Sequence, residues 1–185
     1  MIMPTSIINL PRLSSGVYSN TRPPERQTIR RVAQIGYDCA KSEGVSAMCT
    51  YEELSHTADL AIRVQAETRE GVYECAALGM FDLIAGGERH RVPCLREERR
   101  TLSSIDPESL LVDWLTELLV QHETSGEYLA RVEIESLSDT TLTARLCWGT
   151  ADFEPFEDIK AVTYHDLRIA QREDGTWEAT IVFDV

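Results

Sequence analysis

Downstream of residue 50 the apolar residues switch between a period of two and a period near 3.6. The order of those switches constrains the fold more than any other feature. Tyr51–Leu54 reads as a short strand. Leu60, Ile62, Val64 and Ala66 then alternate with Ala61, Arg63, Gln65 and Glu67, the mark of a half-buried strand. Thr68 offers a hydroxyl to cap a helix that runs to about Ala85 and stops at Gly86-Gly87, with Val72, Cys75, Ala76, Gly79 and Leu83 on one face. Val92–Ser103 is extended and arginine-rich, as suits a sheet edge. Asp106-Pro107 starts a second helix, supplying a capping carboxylate and a proline whose missing N–H is harmless at the first helical position. That helix sets Leu110, Leu111, Trp114, Leu115, Leu118 and Leu119 on one stripe and ends near Ser125-Gly126. Leu129–Leu137 and Thr141–Trp148 flank a tight turn. Ala161–Ala170 and Thr176–Val185 flank Arg172-Glu173-Asp174-Gly175, where Asp-Gly signals a hairpin. The order β-β-α-(β)-α-β-β-β-β predicts a two-layer α+β fold: a mainly antiparallel sheet with two helices packed on one face.

Residues 1–49 have a different character. Pro4, Pro11, Pro23 and Pro24 stand among Ser, Asn, Thr and Arg, a composition that rarely builds a core. The expected division is therefore 1–49 as a disordered extension, or as a start placed too early with translation beginning at Met48, and 50–185 as the folded domain. Both readings of the first part stay open. The spacing also allows a short helix over Gln27–Cys39.

Charge divides along the same line. The chain of 185 residues carries a net charge of -13. Residues 1–49 hold six Arg and Lys against three acids, and the remainder 12 against 28. An acidic domain repels phosphate backbones, so direct stable binding of nucleic acid is not expected. Metal ions and basic protein partners are the natural counterparts. The five cysteines, Cys39, Cys49, Cys75, Cys94 and Cys147, are odd in number and form no C-x-x-C, so reduced, mostly buried thiols are expected. No apolar run reaches the roughly 18 residues that span a bilayer, and the first residues lack a signal-peptide pattern, so the expected location is cytoplasmic. There is no phosphate loop, G-x-S-x-G, G-x-G-x-x-G or H-E-x-x-H, and the four histidines are scattered, which counts against a standard nucleotide-hydrolysing or nucleophilic enzyme.

Three places carry chemistry. Ser55-His56-Thr57-Ala58-Asp59 joins two strands, and strand parity sets Asp59 opposite the Leu60/Ile62/Val64 face. It is either a turn that satisfies its own backbone or a carboxylate held at a sheet edge for a cation. The terminal strand puts Asp184 on its non-core side, next to the α-carboxylate of Val185. Adjacent carboxylates suit a hard cation such as Ca²⁺ or Mg²⁺, although a frayed terminus would look the same. Lys160 is the only lysine after residue 50, where the eleven other cations are arginines, which hints that a compact ammonium is wanted there.

Taken together, Ser55–Asp59, Leu111–Leu119, Lys160-Ala161-Val162-Thr163-Tyr164-His165 and Phe183-Asp184-Val185 resemble the archease family over about residues 50–185. The resemblance implies a non-catalytic accessory protein of the RNA ligase that joins 3′-phosphate ends in tRNA splicing and RNA repair, promoting guanylylation of the ligase and its multiple turnover. It implies a divalent metal ion, calcium by expectation, with Asp59 and Asp184 as ligands and the Val185 carboxylate as an added one. It gives Lys160 and His56 a part in activation or partner contact. Ser55 departs from the family, which commonly has an acid there, and Ala61 stands where glycine is common. Two alternatives remain: a metal-dependent hydrolase working through Asp59 and Asp184, and a general chaperone or scaffold.

Overall fold

The computed structural model describes residues 32–35, 49–55 and 59–185. Among the described residues, nine strands and two α-helices follow one another as β1 (Val32–Ile35), β2 (Cys49–Ser55), β3 (Leu60–Ala66), α1 (Arg69–Ile84), β4 (Arg96–Ser103), α2 (Pro107–Ser125), β5 (Tyr128–Leu137), β6 (Thr141–Gly149), β7 (Ala161–Thr163), β8 (Ile169–Gln171) and β9 (Trp177–Asp184). A single 3₁₀ turn, Arg89–Arg91, links α1 to β4. The fold is α+β and every strand pairing is antiparallel.

Local chemistry sets the helix ends where the sequence put them. The Thr68 hydroxyl accepts from the Gly71 N–H at 3.0 Å, and the Asp106 carboxylate accepts from the Ser109 N–H at 2.6 Å, so each satisfies an orphan donor of the first turn. Gly126 closes α2 in the left-handed region at φ 70°, donating its N–H to the His122 carbonyl, a conformation open to glycine at little cost.

The strands divide between two sheets rather than forming one. β1-β2-β3-β9-β7 make the larger, with β8 also pairing on β9, and β4-β6-β5 the smaller. Helix α1 packs against both sheets and against α2. That placement explains why the single apolar face read for it is incomplete. Tyr73, Ala77, Leu78, Met80, Phe81 and Ile84 are buried as fully as Val72 and Cys75, so the helix is enclosed all round. The core continues through Leu110, Leu111, Trp114 and Leu115 of α2 and Trp148 of β6.

Three expectations are corrected. Val32–Ile35 is a strand that pairs with β2, Val32 opposite Glu52, not part of a helix over Gln27–Cys39; the rest of that helix lies outside the described residues. The long strand expected over Ala161–Ala170 is two short ones. Between them the chain turns at Tyr164–Leu167, with Asp166 at φ 51°, and the pairing with β9 shifts register. Aspartate tolerates the left-handed region better than most residues, which lets the edge break there. The cysteines are not all reduced: Cys94 and Cys147, 53 positions apart, form a disulfide with their Cα atoms 5.4 Å apart. Cys49 and Cys75 are free and buried, and Cys39 lies outside the described residues.

Candidate functional site

Strands β3, β9 and β7 lie side by side, and their registers determine what meets at one end of the larger sheet. β3 pairs with β9 with Leu60 opposite Phe183 and Ala61 opposite Val182. Asp59 directly precedes Leu60 and Asp184 directly follows Phe183, so the two flank the last pair of this ladder. β7 pairs with β9 with Ala161 opposite Asp184, and Lys160 directly precedes that pair. The Lys160 N–H donates to the Asp184 carbonyl at 2.8 Å, which ties the backbone of the lysine to that of the terminal strand. Facing positions on antiparallel strands are about 4.5–5.5 Å apart between Cα atoms. Asp59, Lys160, Asp184 and Val185 therefore share one tip, and all four are exposed. His56 lies outside the described residues; Ser55, which precedes it, pairs with Leu60 at the same end.

The tip rests on a rigid base. Phe183 and Ile181 of β9, and Ile62 and Val64 of β3, are fully buried. Ile159, immediately before Lys160, is 2% exposed, and the Phe156 N–H donates to the Ile84 carbonyl at 2.7 Å, holding the approach to β7 against α1. The side chains here that could hold an ion offer only oxygen, from the carboxylates of Asp59 and Asp184. Such a set fits a hard cation and would suit a thiophilic one poorly.

Charge pairing isolates the lysine. Among the described residues, Lys160 and Arg168 are the cations that make no ion pair with a carboxylate, whereas the other arginines do. Beside the tip, a cleft of about 370 Å³ opens between the end of α2, the start of β5 and the segment 153–159. Its floor includes Tyr128, Phe153 and Ile159, and Glu123, Glu157 and Asp158 line it as well. Burial, then Glu154, pushes the Tyr128 phenol up.

Sequence reading missed two clusters. One is interior: the Tyr51 hydroxyl donates to Asp82 Oδ2 at 2.5 Å, Arg89 Nε lies 4.0 Å from Asp82 Oδ1, and Arg89 Nη1 donates to the Ala130 carbonyl at 3.0 Å. Burial, then Asp82, pushes the Tyr51 phenol up. The other is Cys94, Glu97 and Cys147, the one group of three or more metal-ligating side chains whose ligand atoms converge among the described residues. Neither has a local sequence signal, since Tyr51 lies 31 positions from Asp82 and Cys94 lies 53 from Cys147.

The family model described as the Archease protein family (MTH1598/TM1083) matches residues 51–185. The archease of Thermococcus gammatolerans is 37% identical over 144 residues, covering 75% of this chain and the whole of that protein. The archease of Methanosarcina barkeri is 39% identical over 142 residues, covering 73% of this chain and 95% of that one. Among solved structures, the solution structure of Methanobacterium thermoautotrophicum protein 1598 aligns with a TM-score of 0.60 at 32% identity, covering 73% of this chain and 98% of that one. Matched by this family model over most of its length and by these relatives, the chain belongs to the archease family.

Proposed function

We propose that this protein is a metal-binding, non-catalytic activator of a 3′-phosphate RNA ligase, acting in tRNA splicing and RNA repair by promoting guanylylation of the ligase and its multiple turnover. The observation that carries the reading is the shared register of β3, β9 and β7, which gathers Asp59, Asp184, Val185 and Lys160 at one sheet end. Asp59 and Asp184, with the Val185 carboxylate, are the residues that would hold a divalent cation, calcium in the first instance. Such an ion would supply positive charge at an otherwise anionic tip. Lys160, without a carboxylate partner among the described residues, is free to meet a phosphate or an acidic group of the partner. The surrounding acidic surface suits docking on a cationic cleft and would raise the rate of encounter with it. His56 stays in the proposal as a contact residue, on the resemblance alone.

The test is RNA joining by the purified ligase under multiple turnover, with the amount of guanylylated ligase measured in parallel. The wild-type protein should raise both. Asp59→Ala, Asp184→Ala and Lys160→Ala should each remove most of the stimulation while leaving the fold unchanged by circular dichroism. Stimulation that survives all three substitutions would point to a scaffold with no role for the tip. RNA or nucleotide turnover by this protein alone would point to the hydrolase reading.

A further inference from the structure

We infer that Cys94, Cys147 and Glu97 form a second, sulfur-based metal site that takes a thiophilic divalent cation such as Zn²⁺ when the disulfide is reduced. The three residues belong to one row on the outer face of the smaller sheet. Glu97 of β4 and Arg131 of β5 both face Cys147 of β6 in register. Cys94 precedes β4 by two residues and meets the same row from its end. One ligand atom from each of Cys94, Cys147 and Glu97 lies within 4.8 Å of the others. Two sulfurs and one carboxylate oxygen are a donor set for zinc, which accepts Cys and Glu together in tetrahedral sites.

The backbone, not the disulfide alone, brings these donors together. The Leu95 N–H donates to the Trp148 carbonyl at 2.9 Å, joining the residue after Cys94 to the residue after Cys147. On the other side of Cys94, Pro93 lies so close to Gly149 that a Cβ on the glycine would stand 1.8 Å from the Pro93 carbonyl oxygen. Cys94 is thus held against β6 from both sides, and cleavage of the S–S bond leaves both constraints in place. Cys147 is 3% exposed while Cys94 and Glu97 face solvent, so a bound ion keeps an open side for a water.

Arg131 completes the electrostatics. Its Nη2 lies 3.2 Å from Cys94 Sγ and 3.4 Å from Glu97 Oε1. A nearby guanidinium favours the thiolate over the thiol. Two thiolates, a carboxylate, a divalent ion and this arginine sum to zero, so the filled site carries no uncompensated charge. The redox step balances in the ordinary way. A dithiol reductant gives two electrons and two protons to the Cys94–Cys147 bond and itself becomes a disulfide; the ion then displaces the two protons. A small-molecule disulfide as oxidant takes the two electrons of the thiolates and leaves as two thiols, so the S–S bond re-forms, the ion is expelled and the site exists in the reduced form only.

The test uses the full chain, reduced with a dithiol, freed of the reductant without oxygen, and titrated with Co²⁺ as a spectroscopic stand-in for Zn²⁺. The expected result is a thiolate-to-cobalt charge-transfer absorption that saturates at a single equivalent, disappears on adding Zn²⁺ and is absent from the oxidised protein. Cys94→Ser and Cys147→Ser should each abolish it. Glu97→Gln should weaken Co²⁺ binding by at least the roughly 10-fold that loss of even an outer-shell partner costs. Cys49→Ser should leave the absorption intact, which separates this site from the buried Cys49 and Cys75. Asp59→Ala should leave it intact as well, which separates it from the oxygen-lined tip. Reduced protein without the absorption, or an absorption that persists in Cys94→Ser, overturns the inference and leaves the disulfide as a plain cross-link.

Discussion

Arg89→Met removes a guanidinium from the interior and leaves its partners behind. Arg89 is 6% exposed. The Arg89 and Asp82 side chains are 7% and 13% exposed, so the substitution strands a carboxylate in a poorly solvated place. Methionine fills much of the same volume with a flexible apolar chain, so the cavity contribution is small and the electrostatic one dominates. Breaking a buried pair by removing one partner costs about 3–5 kcal/mol, and the Ala130 carbonyl loses its donor in the same step. At about 2–4 °C per kcal/mol for a chain of this length, Tm should fall by roughly 6–20 °C. Asp82→Asn made in the Arg89→Met background removes the stranded charge and still accepts the Tyr51 hydroxyl, so it should recover part of the loss. Made alone, Asp82→Asn takes the neighbouring carboxylate charge away from Arg89 and is destabilising. Urea unfolding of the four proteins gives the coupling directly, expected at about 1–3 kcal/mol. A loss below about 1 kcal/mol for Arg89→Met, or additive effects in the cycle, would refute the view that these charges depend on each other in the interior.

The other expectations concern packing and pH. Leu115→Ala, at a fully buried position of α2, should cost about 2–5 kcal/mol in denaturant unfolding; a loss under ~0.5 kcal/mol would mean that this face of the helix is not in the core. Gly149→Ala should cost at least about 1–3 kcal/mol, because the new methyl meets the Pro93 backbone and not a side chain that can swing away; an unchanged thermal melt would show that the Pro93 segment yields freely. Burial pushes the Tyr73 phenol up to about 12, above the ordinary phenol value of about 10. The folded state therefore holds the proton more tightly than the unfolded one. That contribution is full below pH 10 and is lost as pH rises through 12, so stability should decline across this window, and Tyr73→Phe should flatten the decline. An equally steep decline in the variant would assign it to other groups.

What the sequence disclosed was local. The Thr68 and Asp106 caps, the Gly126 stop and the Asp-Gly turn act over three or four residues, so their signatures lie within a short window and the helix bounds follow from them. What it concealed depended on partners far along the chain. An apolar helix such as α1 looks the same whether it lies on one sheet or between two, and the second, smaller sheet decides it. Cys94 and Cys147 carry no spacing signal, and an odd cysteine count argued against pairing until β4 and β6 were seen to be neighbours. The edge break at Asp166 was hidden because Ala161–Thr163 and Ile169–Gln171 each alternate well enough to read as one strand. For the tip, parity put Asp59 and Asp184 on a solvated face, yet Ala61 and Val182 on that face are buried. Only the order β3-β9-β7 brings these aspartates and Lys160, which flank the strand ends, to one end of the sheet.

The smaller sheet, in the order β4-β6-β5, decides what the arginines do. Strand β4 carries Arg96, Arg99 and Arg100, which in sequence looks like a cationic stripe. In the fold the stripe is consumed. Arg96 pairs with Glu98 and Glu127, Arg100 with Glu98 and Glu117, and on the other side of the strand Arg99 pairs with Glu135. Arg131 and Arg145 of the neighbouring strands pair with Glu97, Glu133 and Glu135. Exposed pairs of this kind add little stability, commonly between about 0 and 1 kcal/mol each, so their main effect is on the field of the molecule. They cancel positive charge where a phosphate backbone would otherwise find it. The pull of the described surface on a charged partner therefore comes from carboxylates left without a cation, and Lys160 stands beside two of them at the sheet end with no carboxylate within ion-pair distance among the described residues. On the proposed reading, a partner drawn by the acidic field would meet Lys160 at that sheet end, so substitutions at the tip should change association more than substitutions on the arginine-rich edge.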